Sequence, residues 1–208
     1  GDVYKRQSTV WVDGPVTEAV KHGAVFAWDE WDVTPPEISM GLQWLLEDEG
    51  KLFLKEMPGT AQEKFLVPHE NFRIVAIGNT QGQGDDTGSH AGTNVQNTAT
   101  LDRFDTAIRV GYLAEHQEIS MLKKKWSSSI PEAILKNLVK IANLVRQGYQ
   151  SGQLTLTMSP RSLLAMCRKL SVGLDLASSF DVVYCNKLTV TQQRVARELY
   201  RKVVGTGK

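Results

Sequence analysis

The sequence predicts an α/β domain followed by a small all-α domain, the change falling after Leu122. Two apolar runs, residues 24–28 and 72–77, end abruptly in polar side chains, as strands of a parallel sheet do at their carboxyl ends. Capped segments of helical period separate and follow them. Beyond Trp126 only helical spacing recurs.

Taken in order, residues 9–12 read as a short β-type run closed by Asp13-Gly14-Pro15. Residues 16–22 read as a helix ended by Gly23. Ala24-Val25-Phe26-Ala27-Trp28 reads as a strand buried on both faces, running into Asp29-Glu30. Thr34-Pro35-Pro36-Glu37 has the form of a capping box, with Ile38, Leu42, Leu45 and Leu46 at helical spacing and Gly50 as the stop. Residues 52–54 and 65–67 are expected to pair as a hairpin. Residues 72–77 form the next strand, leading into Gly78-Asn79-Thr80 and a polar, glycine-rich stretch. Residues 108–110 are a candidate last strand. In the all-α part, Ser129-Ile130-Pro131-Glu132 is a second capping box, ahead of a face of Ile134, Leu135, Leu138, Val139, Ala142 and Val145. Ser159-Pro160 caps another helix, and amphipathic stretches around Phe180 and Leu199 complete the set.

The chain has 208 residues, 41% hydrophobic and 23% charged, the balance of a soluble globular protein. A net charge of +1 offers no global field for nucleic acid or an anionic membrane. No apolar run approaches the roughly 20 residues that cross a bilayer. The two cysteines, Cys167 and Cys185, sit in apolar helical stretches and read as free thiols of a reducing cytosol, so a cytoplasmic location is expected. His22, His69, His90 and His116 are scattered, without metal-ligand spacing. Lys123-Lys124-Lys125 ahead of Trp126 reads as a solvated helix end rather than a nucleic-acid contact. Residues 1–7 fit nothing downstream and resemble translated adapter sequence, so the native core is expected to run over 8–122 and the all-α part over 123–208.

The chemistry centres on Asp29-Glu30. A strand ending in two acids delivers both carboxylates to the sheet edge where open α/β folds bind ligands. In a nucleotide hydrolase the first acid holds Mg²⁺ and the second polarises the attacking water. Any core strand meeting a polar loop can end the same way. Asn79, at the tip of the following strand, suits the same water or a terminal phosphate, though asparagine is also a common turn residue. Arg103, in Leu101-Asp102-Arg103-Phe104, suits transition-state charge supplied across a subunit boundary. Arg161 stands in a helix's first turn, where a cation is mildly unfavourable and invites a functional reason.

Together and in this order, these residues resemble AAA+ ATPases of the MoxR and cobaltochelatase CobS-like branch. The most specific stretch is Ala76-Ile77-Gly78-Asn79-Thr80, then Gly84-Asp85-Asp86-Thr87-Gly88, Gly92-Thr93, Asn97 and Leu101-Asp102-Arg103-Phe104. The resemblance implies a P-loop NTPase three-layer sandwich followed by an all-α lid. It makes residues 24–30 Walker B, with Asp29 on Mg²⁺, Glu30 catalytic and Asn79 as sensor 1. Arg103 becomes the arginine finger and Arg161 the sensor-2 arginine. It also implies ATP, a ring that is usually hexameric, and a von Willebrand A-type partner. Trp28 and Trp31 depart from the aliphatic or tyrosine side chains more frequent beside those acids. No Gly-x-x-x-x-Gly-Lys-Ser/Thr occurs, so the phosphate loop and its strand are expected upstream, and this stretch alone is expected to be inactive and poorly stable. The alternative is a non-hydrolysing, degenerate AAA+ scaffold.

Overall fold

Pro15 starts the first helix and Gly23 ends it. The computed structural model describes residues 10–85 and 91–205. They divide into two units, Gly1–Ile108 and Arg109–Lys208. The boundary expected at Leu122 falls inside a helix of the second unit, where Leu122 is fully buried.

In the first unit, helix α1 (Pro15–His22) has proline in its first turn, where the missing N–H is no loss. Gly23 closes it at φ 69°, and its N–H returns to the Ala19 carbonyl. A Cβ there would lie 2.4 Å from His69 Nδ1, so glycine is needed on both counts. Strand β1 (Val25–Trp28) pairs in parallel with β4 (Arg73–Ala76), in the register Val25↔Arg73 to Trp28↔Ala76. Between them β2 (Leu52–Phe53) and β3 (Phe65–Leu66) make the expected antiparallel hairpin. Ala19, Val20, Leu45, Leu52, Leu54 and Phe72 form the core of this unit.

The structure corrects four local expectations here. Residues 10–12 form no strand, and Thr9 lies outside the described residues. Strand β1 is not buried on both faces. Its burial alternates, because in a two-stranded sheet only Phe26 and Ile74 turn toward the core, while Val25 is 64% exposed. The capping box at residues 34–37 does not form: Pro35 rather than Thr34 stands at the N-cap, Thr34 closes the preceding 3₁₀ turn, and its hydroxyl accepts the Trp28 indole N–H at 3.1 Å. Helix α2 (Pro36–Gly41) therefore begins without a side-chain cap and stops early, giving way to a 3₁₀ turn over Gln43–Leu46. Residues 108–110 form no strand and pair with none among the described residues, and Ile108 is 81% exposed.

The second unit is helical: α4 (Glu115–Trp126), α5 (Glu132–Gln150), α6 (Pro160–Ser171), α7 (Leu176–Val183) and α8 (Val190–Val204). A short α3 (Thr98–Asp102) belongs to the first unit. Leu135, Leu138, Val139, Ala142 and Val145 of α5 are buried among Leu122, Leu163, Met166 and Phe180. The periodic face read from the sequence is thus the core face. The second capping box does not form either. Ser129 Oγ donates to the Trp126 carbonyl, and Glu132 holds Lys123 and Lys136 at 2.7 and 3.0 Å. Ser159 precedes α6 without a side-chain cap. Asp175 and Thr189 do cap α7 and α8. Both cysteines are free and buried, and burial pushes the Cys167 thiol to about 11 and the Cys185 thiol to about 12. No described helix is long and apolar enough to cross a membrane.

Candidate functional site

Parallel pairing in register brings the carboxyl ends of β1 and β4 side by side. The backbone stays paired past the strands: Ile77 N–H donates to the Trp28 carbonyl, and Trp31 N–H to the Ile77 carbonyl, both at 2.9 Å. Asp29 and Glu30 leave one strand tip within that pairing, and Gly78-Asn79-Thr80 leaves the other. Asp29, Glu30 and Asn79 are all exposed, so neither carboxylate turns into the interior. Asp29 Oδ1 accepts the Glu30 N–H at 3.1 Å. Glu30 sits at φ 51°, ψ 39°, a left-handed conformation that typically costs a non-glycine residue about 1–3 kcal/mol. Only a surrounding structure that over-determines the turn holds it there.

Neither carboxylate has a cationic partner among the described residues. Two exposed, unpaired carboxylates supply the hard oxygen donors that Mg²⁺ prefers, so these residues fit that ion.

Asp32, two residues further on, was missed by sequence reasoning. It is fully buried in the 3₁₀ turn Trp31–Val33. Its Oδ2 accepts the Asn79 N–H and the Thr80 N–H, each at 2.7 Å, and the Thr80 hydroxyl at 2.9 Å. Burial pushes this carboxyl up. The Thr80 N–H and hydroxyl and the Asn79 N–H outweigh burial and hold it below its ordinary value. Its only signal in the sequence was a third acid spaced two residues from Glu30.

The glycine-rich stretch folds back over this turn. Asn94 N–H donates to the Asp32 carbonyl at 2.7 Å, Gln96 N–H to the Gly82 carbonyl at 2.8 Å, and Gln96 Nε2 to the Thr34 carbonyl at 2.8 Å. Trp31 is buried beneath, edge-on to Trp28 and to Phe104 with ring centroids 6.5 and 5.6 Å apart. A Cβ at Gly82 would meet the Trp31 ring at 3.0 Å. The two tryptophans beside the acids are therefore packing residues of the loop. Asp86, Thr87 and Gly88 lie outside the described residues.

Arg103 does not join the acids. It follows α3, whose first turn is capped by Asn97. Its Nε donates to Glu47 Oε1 at 2.5 Å and its Nη1 to the Ala99 carbonyl at 2.6 Å. Arg161 is exposed in the first turn of α6, in the second unit.

The AAA domain (dynein-related subfamily) matches residues 2–104, and the CbbQ/NirQ/NorQ C-terminal domain matches residues 118–204. The first match begins ahead of Ser8, where the sequence-based core was expected to start. The aerobic cobaltochelatase subunit CobS of Sinorhizobium sp is 29% identical over 202 residues, 96% of this chain and 59% of that protein. The von Willebrand factor A domain-containing protein 8 of Mus musculus is 27% identical over 153 residues, 67% of this chain and 8% of its own length. Midasin of Dictyostelium discoideum is 32% identical over 119 residues, 57% of this chain and 2% of its own. The chain thus spans about three fifths of the CobS relative and under a tenth of the other two. Parallel strands ending in acids and in Asn79, a following helical unit and two adjoining domain matches agree: the chain belongs to the AAA+ family, in its dynein-related, MoxR/CobS-like branch.

Proposed function

We propose that the full-length protein to which this chain belongs hydrolyses ATP with Mg²⁺ as a subunit of a ring, in most cases a hexamer, and uses the turnover to remodel a partner protein in the cytoplasm, this stretch carrying the hydrolysis half of the site. The observation that carries the reading is the placement of Asp29 and Glu30 on one strand tip beside Asn79 on the next. Asp29 would hold the metal. Glu30 orients and polarises the attacking water, and Asn79 hydrogen-bonds that water or the terminal phosphate. When bound, Mg²⁺ neutralises charge developing on the phosphates. Arg103 serves the neighbouring subunit's site, and Arg161 responds to bound nucleotide. One relative's name carries a von Willebrand A domain within its own chain, which is consistent with a von Willebrand A-type partner here, and another's names a cobaltochelatase subunit. Chelatase and chaperone motors would share this ATP chemistry and differ in the partner.

The test is ATP turnover by the protein that the complete gene encodes. Glu30→Gln is expected to retain ATP binding and lose on the order of 10²-fold in turnover, the scale for removing one key polar catalytic group. Near-normal turnover would remove Glu30 from this role.

A further inference from the structure

The two strand tips are joined by Asp32. Its backbone belongs to the turn that carries Glu30, and its carboxylate grips the loop that carries Asn79 through three hydrogen bonds of 2.7, 2.7 and 2.9 Å. A charge is a costly choice for this purpose. Burying a carboxylate is unfavourable unless it is fully satisfied, and an amide or hydroxyl would accept an N–H at smaller desolvation cost. Here Oδ1 is buried with no hydrogen-bond partner among the described residues, while Oδ2 accepts all three of the bonds above. What the charge provides is strength on that one oxygen, since charge-assisted bonds to backbone N–H groups are shorter and stronger than neutral ones.

The surroundings are shaped to the carboxylate. A Cβ at Gly78 would fall 2.9 Å from Asp32 Cγ and 3.0 Å from Oδ1, so the β4 exit lies directly against it. The main chain of Asp32 is held as well, its carbonyl accepting the Asn94 N–H at 2.7 Å. The turn bearing the left-handed Glu30, the Asn79 loop and the returning segment at Asn94 therefore meet at one residue, the loop through its carboxylate and Asn94 through its main-chain carbonyl.

We propose that Asp32 is a positioning residue for hydrolysis, fixing Asn79 relative to Glu30. The proposal rests on the roles given above to Glu30 and Asn79. Asp32 faces the Asn79 and Thr80 backbone rather than the exposed edge, so it acts through those groups. A displacement of about 1 Å in a reacting arrangement can cost on the order of 10²-fold, which sets the size of the effect.

The experiment compares variants of the protein encoded by the complete gene, using Mg-ATP turnover and residue-resolved hydrogen exchange. Asp32→Asn keeps the shape and removes the charge. It is expected to lower kcat by on the order of tenfold or more, to leave KM for ATP within about threefold, and to speed exchange at Asn79 and Thr80 while α5 amides stay protected. Thr80→Val removes one of the three bonds and is expected to fall between, with Thr80→Ser restoring wild-type kcat. If Asp32→Asn does not fold, the Thr80 pair decides. Equal kcat for Thr80→Val and Thr80→Ser, or wild-type kcat for Asp32→Asn, overturns the proposal. Glu30→Gln is run alongside. If it turns over normally, the hydrolysis reading falls and this proposal with it. If it is inactive while Asp32→Asn is normal, the positioning role alone falls.

Discussion

Glu47 holds Arg103 within the same chain, Oε1 to Nε at 2.5 Å, at the end of the 3₁₀ turn that follows α2. The two side chains are 47% and 31% exposed, and such a pair contributes about 0–1 kcal/mol. An arginine so placed is held by its own chain, through Glu47 and the Ala99 carbonyl, rather than by the acids of the strand tip. Glu47→Gln is expected to leave ATP turnover within about twofold of wild type, consistent with that small free energy. Arg103→Ala is expected to lose on the order of 10³-fold, the scale of an arginine finger. Mixing Arg103→Ala with Glu30→Gln subunits should restore part of the activity, because some interfaces then carry both intact groups. Mixed rings with no activity would place Arg103 outside the neighbour's site.

The helical unit contains a second, very different ion pair. Arg146 meets Glu118 with two bonds of 2.8 Å, both side chains buried, and also donates from Nε to the Met158 carbonyl. The Tyr112 ring lies 3.9 Å over the guanidinium. Removing one partner strands a buried charge, so Glu118→Leu is expected to destabilise by about 3–5 kcal/mol in denaturant melts. Glu118→Leu combined with Arg146→Met should lose far less than the sum of the two single losses. Additive losses would show that the two side chains are not energetically paired.

Glu132 gives a pH-dependent test. Its hydrogen bonds to Lys123, then to Lys136, with their positive charges, lower its carboxyl from 4.5 to about 2. A lowered folded-state value means that the contribution is complete above the ordinary value and is lost as pH falls from about 4.5 through about 2. Carboxyl titration by NMR should find Glu132 well below an ordinary glutamate. Lys123→Met should move its midpoint upward, and added salt should do the same by screening. A midpoint unaffected by either change would sever Glu132 from Lys123.

Much of the fold was legible because its signals are local. Pro15 and Gly23 bound α1 within nine residues, and the apolar spacing of α5 names its own buried face. The mixed α/β character and the helical second part were legible for the same reason. What failed depended on distant residues. The Thr34 hydroxyl looked free to cap a helix, but the Trp28 indole takes it. Helix α4 buries only Glu118 and Leu122, too few to print a periodic stripe. Asp32 was illegible because its partners lie 47 and 48 residues away in the chain. Its role exists only once β1 and β4 are adjacent, so no spacing in the sequence could reveal it.

Gly78 tests the contact between those strand ends without removing a polar group. Its backbone is not in the left-handed region, so alanine is conformationally allowed, yet a Cβ would come within 2.9 Å of Asp32 Cγ. Gly78→Ala is therefore expected to cost about 1–3 kcal/mol through overpacking against a side chain that three hydrogen bonds hold in place. Gly41→Ala is the matched control: nothing lies within 4 Å of its Cβ, so it should be neutral or slightly stabilising. Asp32→Ala removes the obstructing carboxylate along with its hydrogen bonds. Once it is gone, adding Gly78→Ala should cost almost nothing further, so the coupling in a double-mutant cycle should equal the single cost, about 1–3 kcal/mol in magnitude. If the two losses simply add, the Asp32 carboxylate does not rest against the β4 exit, and the link between the two strand tips is not the one described.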